Sequence, residues 1–378
     1  MTPALVERVR HRLVMDAAAP TPATVADALR AERQVVGGSD VLALVDRLRS
    51  EMLGAGPLDA VLTLPGVTDV LVNGAGQVFA DCGAGLEPVD VCFDSEDVVR
   101  RLAQRMAAIA GRRLDDASPW VDARLPDGTR LHAVLAPLAR PGTVISLRVP
   151  SRRVFSIDDL SALGMFAGGA EEQLRRIIAA RSSFVVTGGT GSGKTTVLAA
   201  MLALADPRDR IVIVEDSTEL RPDHPHVVGL EARPPNVEGA GAVTVRDLVR
   251  QALRMRPDRV VVGEVRGAEV VDLLAALNTG HEGGCGTVHA NSATDVPARF
   301  EALGVAAGLP RDAVHSQLAA GVDLVVHLGR DGGGVRRVQE IAVLESLDGW
   351  VRAIAALTFD GTAAHRGPGF DRYRSLVP

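Results

Sequence analysis

The apolar positions change their spacing along the chain. Up to about residue 60 they recur at helical intervals: Leu5, Val9 and Leu13, then Val41, Leu44, Val45, Leu48 and Leu53. Each set lines one face of a helix, and the charged positions between read as solvated surface. Pro20, Pro22 and Gly37-Gly38-Ser39 separate these helices, and Gly54-Ala55-Gly56-Pro57 closes the segment. From 61 to 150 the pattern mixes. Asp69 to Asn73, Gln77 to Ala80 and Thr143 to Val149 read as strands. Ser95 is placed to cap a helix running to about Ala110, with Val98, Val99, Leu102, Met106 and Ile109 on one side.

Beyond Pro150 a helical lead-in (a cap at Ser156-Ile157-Asp158-Asp159, a second helix from Ala170 to Ala180) precedes a series of short apolar runs. Ser183 to Val186, Ile211 to Val214 and Val260 to Val262 carry no alternation, the pattern of parallel strands covered on both faces. The Pro-rich stretch from Arg221 to Gly241 reads as a surface excursion, and Thr244 caps a helix to Met255. A helix around Pro310 to Ala320, a strand from Val322 to Leu328 and a hairpin across Asp331–Gly334 to Leu347 follow. The tail from Gly361 reads as loosely ordered. The chain is thus expected to be α/β, divided into a helical segment (1–60), a mixed α/β domain (61–150), a parallel α/β domain (151–360) and a tail (361–378).

The chemistry concentrates where the apolar runs end. The first opens into Gly188-Gly189-Thr190-Gly191-Ser192-Gly193-Lys194-Thr195-Thr196, which is G-x-x-x-x-G-K-T between a strand and a helix. Glycines allow positive φ, so several N–H groups turn inward, and the helix N-terminus adds its dipole to the same anion site. Lys194 is expected on the β- and γ-phosphates of ATP, and the Thr195 hydroxyl on Mg²⁺. Lys194 is also the chain's single lysine; every other residue among its 41 Lys and Arg is arginine. The second and third runs end in Glu215 and Glu264. Carboxylates at the carboxyl ends of parallel strands face the ligand, so one is expected to assist the hydrated Mg²⁺ (Glu215) and the other to polarise the attacking water (Glu264). A glycine-rich stretch carrying His281 leads to a short strand ending at His289. A γ-phosphate contact is expected of His289, with His281 in support; metal ligation is the alternative, but two histidines and one cysteine make a poor zinc set.

One motif lies outside this domain. In Val121 to Ala133 the Pro126-Asp127-Gly128 loop fits a type I turn with glycine in the left-handed bulge position. That register sets Arg124 opposite Arg130 on the polar face of a hairpin. Two facing arginines repel. Either both are simply solvated or an anionic partner relieves the cost; Arg148 lies on another strand nearby in sequence.

Composition narrows the partners. Hydrophobic residues make up 47% and aromatics 3%, so cores must be built from Ala, Val and Leu. The net charge of −6 and the scarcity of aromatics offer no surface for nucleic acid, and direct nucleic-acid binding is not expected. Cys82, Cys92 and Cys285 have neither zinc nor disulfide spacing, so no zinc is expected and a reducing, cytoplasmic location is. No apolar run is long enough to span a bilayer, nor does an apolar stretch follow the basic residues at the start as in a signal peptide.

Four stretches in order resemble the secretion and traffic ATPases of type II, type IV pilus and type IV secretion machines, and among these the TadA/CpaF branch of Flp pilus assembly. They are the Walker A loop Gly188–Thr195, an acidic box at 213–220, a Walker B region at 254–269 and a histidine box at 280–292. The resemblance extends over about residues 60–345, including the stretch from Gly111 through Arg130. It implies a RecA-like P-loop NTPase domain preceded by a smaller, PAS-like α/β domain, a homo-hexamer, and a platform protein of the inner membrane as partner. It further implies Glu264 as catalytic base, Glu215 in support, His289 on the γ-phosphate, and Arg124 and Arg130 as arginine fingers. The tetracysteine zinc module of some type II relatives is missing. Ala268 and Val270 stand where some relatives carry Asp and Thr, so roles tied to those positions do not transfer.

Overall fold

The computed structural model describes residues 3–378 except 17, 35, 36, 53, 84, 151–153, 237, 238, 279, 281 and 282. The chain divides into two compact units, residues 1–151 and 152–378.

The first unit begins with three helices, Pro3–Met15, Pro22–Ala31 and Gly38–Met52. Leu5, Val9, Leu13, Val25, Leu29, Leu44 and Leu48 form their shared core, so the helical spacing marks buried faces; Leu53 lies outside the described residues. Thr21 starts the second helix with a reciprocal capping box to Thr24. Six strands follow: β1 (Asp69–Asn73), β2 (Val78–Asp81), β3 (Leu86–Pro88), β4 (Trp120–Arg124), β5 (Arg130–Val134) and β6 (Val144–Arg148). They form one antiparallel sheet in the order β3-β2-β1-β6-β5-β4. Helix Glu96–Ile109 packs Val99, Leu102, Ala103 and Met106 into the same core as the sheet's buried residues. Two details differ from the sequence reading. Ile109 is exposed, and Ser95 makes no capping bond through its side chain. The neighbouring Glu96 carboxylate instead accepts the Thr143 N–H, which ties the helix start to the strand side of the unit.

Among the described residues the second unit has nine strands: β7 (Phe184–Gly188), β8 (Ile211–Glu215), β9 (Val227–Glu231), β10 (Arg259–Val265), β11 (Cys285–Val288), β12 (Leu324–Arg330), β13 (Arg336–Leu347), β14 (Trp350–Phe359) and β15 (Ala364–Arg366). Their order is β15-β14-β13-β12-β7-β11-β10-β8-β9, parallel from β12 through β9 and antiparallel from β12 to β15. β7 and β8 are buried along their whole lengths, with separate apolar cores on the two sides of the sheet. That explains the uninterrupted apolar runs. The supposed surface excursion 221–241 contributes the parallel edge strand β9, because its Val227 to Glu231 backbone pairs with all of β8. The tail is ordered, contrary to expectation. β15 pairs with β14, and helix Phe370–Leu376 buries Tyr373 and sets its hydroxyl 3.0 Å from Gln173 Oε1.

Below the sheet's other end sits a buried charge cluster. Arg259, at the start of β10, is 2% exposed. Its Nε donates to Asp209 Oδ2 at 2.9 Å and its Nη2 to the Ile178 carbonyl at 3.1 Å. Arg181 donates to Asp209 Oδ1 at 2.8 Å. Gly283 makes room for this guanidinium: a Cβ there would lie 2.4 Å from Arg259 Nη1. One glycine of the histidine box thus serves a packing need at the strand starts.

Candidate functional site

β7 runs directly into the glycine loop and then into helix Lys194–Leu202. Gly188, Gly191 and Gly193 have φ of 149°, 69° and 96°, a backbone that side chains resist. At Gly188 the constraint is also steric, since a Cβ would stand 2.4 Å from the Leu328 carbonyl oxygen on β12. Lys194 turns its ammonium back on the loop, donating to the carbonyls of Gly188 (2.9 Å) and Gly189 (3.0 Å). Burial holds its pKa below the usual lysine range, while Glu264 pulls the other way. That electrostatic coupling places Glu264 in the same neighbourhood as the loop.

The Glu264 position depends on a break in β10. The β10–β11 register shifts between Val262 and Val265, a bulge of the kind that re-aims a side chain. The Gly263 carbonyl in this break is captured by the buried Thr287 hydroxyl of β11 at 2.6 Å. Glu264 is partly exposed and ion-paired with Arg266. Neither Thr287 nor Arg266 was singled out from the sequence; nothing in a lone threonine within a strand points to a carbonyl it will hold.

Glu215 ends β8 and is 5% exposed. Its side chain lies against Gly263, where a Cβ would come within 2.5 Å of Glu215 Cγ. Oε1 accepts the backbone N–H groups of Glu219 (3.1 Å) and Leu220 (3.0 Å). Burial pushes the carboxyl up to about 7; the two N–H donors oppose this and Glu219 and Glu231 reinforce it. Between the ordinary carboxyl range and about pH 7 the folded protein keeps this proton while the unfolded chain releases it. Below the unfolded pKa both states are protonated, and as pH rises to about 7 the unfolded carboxylate gains stability that the folded one does not. Glu215→Gln keeps an acceptor and cannot ionise. It should be near-neutral at pH 4.5 and stabilising by about 3 kcal/mol at pH 8, read from urea midpoints at both pH values.

His289 follows the end of β11, partly buried. In strand order β7, β11, β10, β8 it falls between the phosphate loop and Glu264, with Glu215 one strand further. The second unit therefore carries the loop, His289, Glu264 and Glu215 at the carboxyl ends of four adjacent parallel strands. His281 lies outside the described residues. Two arginines missed by sequence reasoning stand beside the loop. A Cβ on Gly191 would be 4.0 Å from Arg330 Nη2, and one on Gly193 would be 3.9 Å from Arg336 Cδ. They arrive from the β12–β13 hairpin, some 140 residues on, and no local signal marks them.

Arg124 and Arg130 belong to the first unit. They face each other across β4 and β5, and Arg130 faces Arg148 across β5 and β6, making a row of three. Arg148 is paired with Asp69 at 3.3 Å. The buried face beneath carries Val121, Ala123, Leu131, Ala133 and Leu147.

The loop is suited to a nucleoside triphosphate with its Mg²⁺. The buried Ser192 hydroxyl within it has no hydrogen-bond partner, three of its glycines take positive φ, and Lys194 lies against its carbonyls. Lys194 would hold phosphate and Thr195 would hold Mg²⁺. When bound, Mg²⁺ neutralises phosphate charge and needs few protein ligands. Among the described residues no group of three or more His, Cys, Asp and Glu converges on a metal.

A phosphate-cradling loop on the leading strand of a RecA-like parallel sheet, faced by strand-end acids, defines a P-loop nucleotide-binding protein. Residues 51–339 match the model of the family described as "Type II/IV secretion system protein", and the chain belongs to that family. It is 56% identical over 326 residues to a "Putative conjugal transfer protein" of Mycobacterium tuberculosis (strain H37Rv), covering 85% of this chain and 93% of that one. It is 32% identical to the "Conjugal transfer protein TrbB" of Rhizobium radiobacter, over 74% of this chain and 84% of the relative. The crystal structure of the Legionella pneumophila ATPase DotB shares the fold, with a TM-score of 0.53 at 20% identity over 78% of this chain and 79% of that one.

Proposed function

We propose that this chain is a Mg²⁺-dependent ATPase that works as a hexameric motor of a secretion or pilus-assembly machine, of the Flp/Tad type or a type II/IV relative. The observation that supports it most is the bulged end of β10, which carries Glu264, a carboxylate whose charge acts on the Lys194 ammonium, in a member of the type II/IV secretion family. In this reading Lys194 and the loop N–H groups bind the phosphates, and Glu264 takes the proton of the attacking water. Glu215 supports the Mg²⁺ side, and His289 donates to the γ-phosphate. The motor is cytoplasmic and joins the inner membrane through a platform protein; among the described residues no helix is long and apolar enough to cross a membrane. Release of phosphate after Mg·ATP addition, with a particle mass of six chains, is the expected result. A protein that binds ATP without turnover would instead be a nucleotide-operated switch.

Arg124 and Arg130 are assigned here to the charge that builds on the phosphates during hydrolysis. Changing both to Ala should lower kcat by about a hundredfold or more while nucleotide affinity stays within a few-fold. Unchanged turnover in the double variant would return them to solvated surface.

A second reading concerns cargo. Two relatives carry conjugal-transfer names, which favours a motor serving DNA transfer. Strong stimulation of hydrolysis by single-stranded DNA would support that reading; the −6 charge argues against a direct contact.

A further inference from the structure

The first unit contains a cavity of about 620 Å³ that the nucleotide loop does not use. Pockets of a few hundred to a thousand Å³ are the usual size for small organic ligands. Helices Pro3–Met15, Gly38–Met52 and Glu96–Ile109 line it, together with residues 56–57 and 92–94. Four arginines border it, Arg10, Arg47, Arg101 and Arg105, against two carboxylates, Glu7 and Asp94. Among the described residues its border is basic, in a chain whose net charge is −6. Glu7 is engaged with Arg10, and that hydrogen bond holds its carboxyl below the usual range against the effect of burial. Arg105 is anchored by a 2.7 Å bond from Nη2 to the Gly54 carbonyl. The opposite character comes from Val6, Phe93, Val98 and Leu102, an apolar lining of buried and half-buried side chains.

We propose that this cavity binds a nucleotide, with phosphate on the arginines and the base against the apolar lining. Guanidinium groups are the side chains best matched to phosphate oxygens. The enclosure by three helices and the limited volume favour a small molecule over a peptide. The ligand would bridge the three-helix segment and the helix that packs into the sheet core, so its occupancy would fasten the two parts of this unit.

Cys92 borders the cavity and is exposed, which makes it a local reporter. Cys285 is buried and its thiol is pushed up to about 12, so it stays unreactive. In full-length protein carrying Cys82→Ser, Cys92 alkylation by iodoacetamide is followed by intact mass while AMP, GMP, CMP or UMP is titrated to millimolar concentration. At least one should slow the reaction saturably, by about tenfold when the ligand is in tenfold excess over its Kd. Lys194→Ala should leave that protection intact. Arg47→Glu with Arg101→Glu, both at exposed positions, should abolish it without altering circular dichroism. Protection by none of the four, equal protection by the uncharged nucleosides, survival of protection after charge reversal, or its loss in Lys194→Ala would each overturn the assignment.

Discussion

Glu264→Gln should lower the kcat of ATP hydrolysis by about a hundred- to ten-thousand-fold, the range general-base catalysis supplies, with ATP affinity changed only a few-fold. The substitution preserves size and removes the ionisable carboxylate. The prediction rests on the β10 bulge, where the Thr287 hydroxyl holds the Gly263 carbonyl and the next residue, Glu264, lies electrically coupled to Lys194. The Arg266 ion pair adds a condition to the proposed role: the guanidinium must release the carboxylate, or move with it, for Glu264 to take a proton. Single-turnover hydrolysis and equilibrium binding of a non-hydrolysable analogue separate the two effects. Turnover at the wild-type rate would place the base elsewhere, with Glu215 as the nearest candidate.

Asp209→Ala should destabilise the second unit by about 3–5 kcal/mol, because it leaves a fully buried guanidinium without its counter-charge. Arg259 is 2% exposed and Asp209 6%. The Ile178 carbonyl that shares this guanidinium cannot replace a charge. Burial alone would raise the Asp209 carboxyl, but Arg181 and Arg259 outweigh it and hold the group below the usual carboxylate range. Its contribution is therefore complete above the unfolded pKa and disappears as pH falls through the depressed folded value. Urea unfolding at neutral pH reads the loss, and the difference between Asp209→Ala and wild type should shrink at strongly acidic pH. A difference under 1 kcal/mol at neutral pH would show that the cluster relaxes or admits water.

Much of this site could be read in advance because its signals are local. The glycine loop, its strand and its helix lie within about 20 consecutive residues, and the strand-end acids follow from apolar runs and the topology of parallel sheets. The Arg124–Arg130 register was readable for the same reason, since a three-residue loop with Gly128 sets the pairing. What could not be read depends on distant pairings. β9 looked like a loop because its Pro-rich flanks outweighed five residues that pair along β8. The tail looked free because Tyr373 and Val377 bury against a core assembled from residues 157–359. Thr287 reaches the Gly263 carbonyl only when β11 lies beside β10, Arg330 and Arg336 come near the loop only when β12 and β13 are in place, and Gly263 is needed because Glu215 crosses it. The Arg259 cluster was hidden for a further reason: an arginine beginning a strand resembles any solvated strand end.

The ammonium bonded to the Gly188 and Gly189 carbonyls is the only ε-amine of the chain. Acylation, carbamylation or glycation of side-chain amines therefore has one address in this protein, the phosphate loop, and the lowered pKa raises the share of that amine present unprotonated. Chemistry that on most proteins scatters harmlessly over the surface would here be all or nothing. Each chain modified there would be one whose nucleotide site is closed, and ATP bound at the loop would shield it.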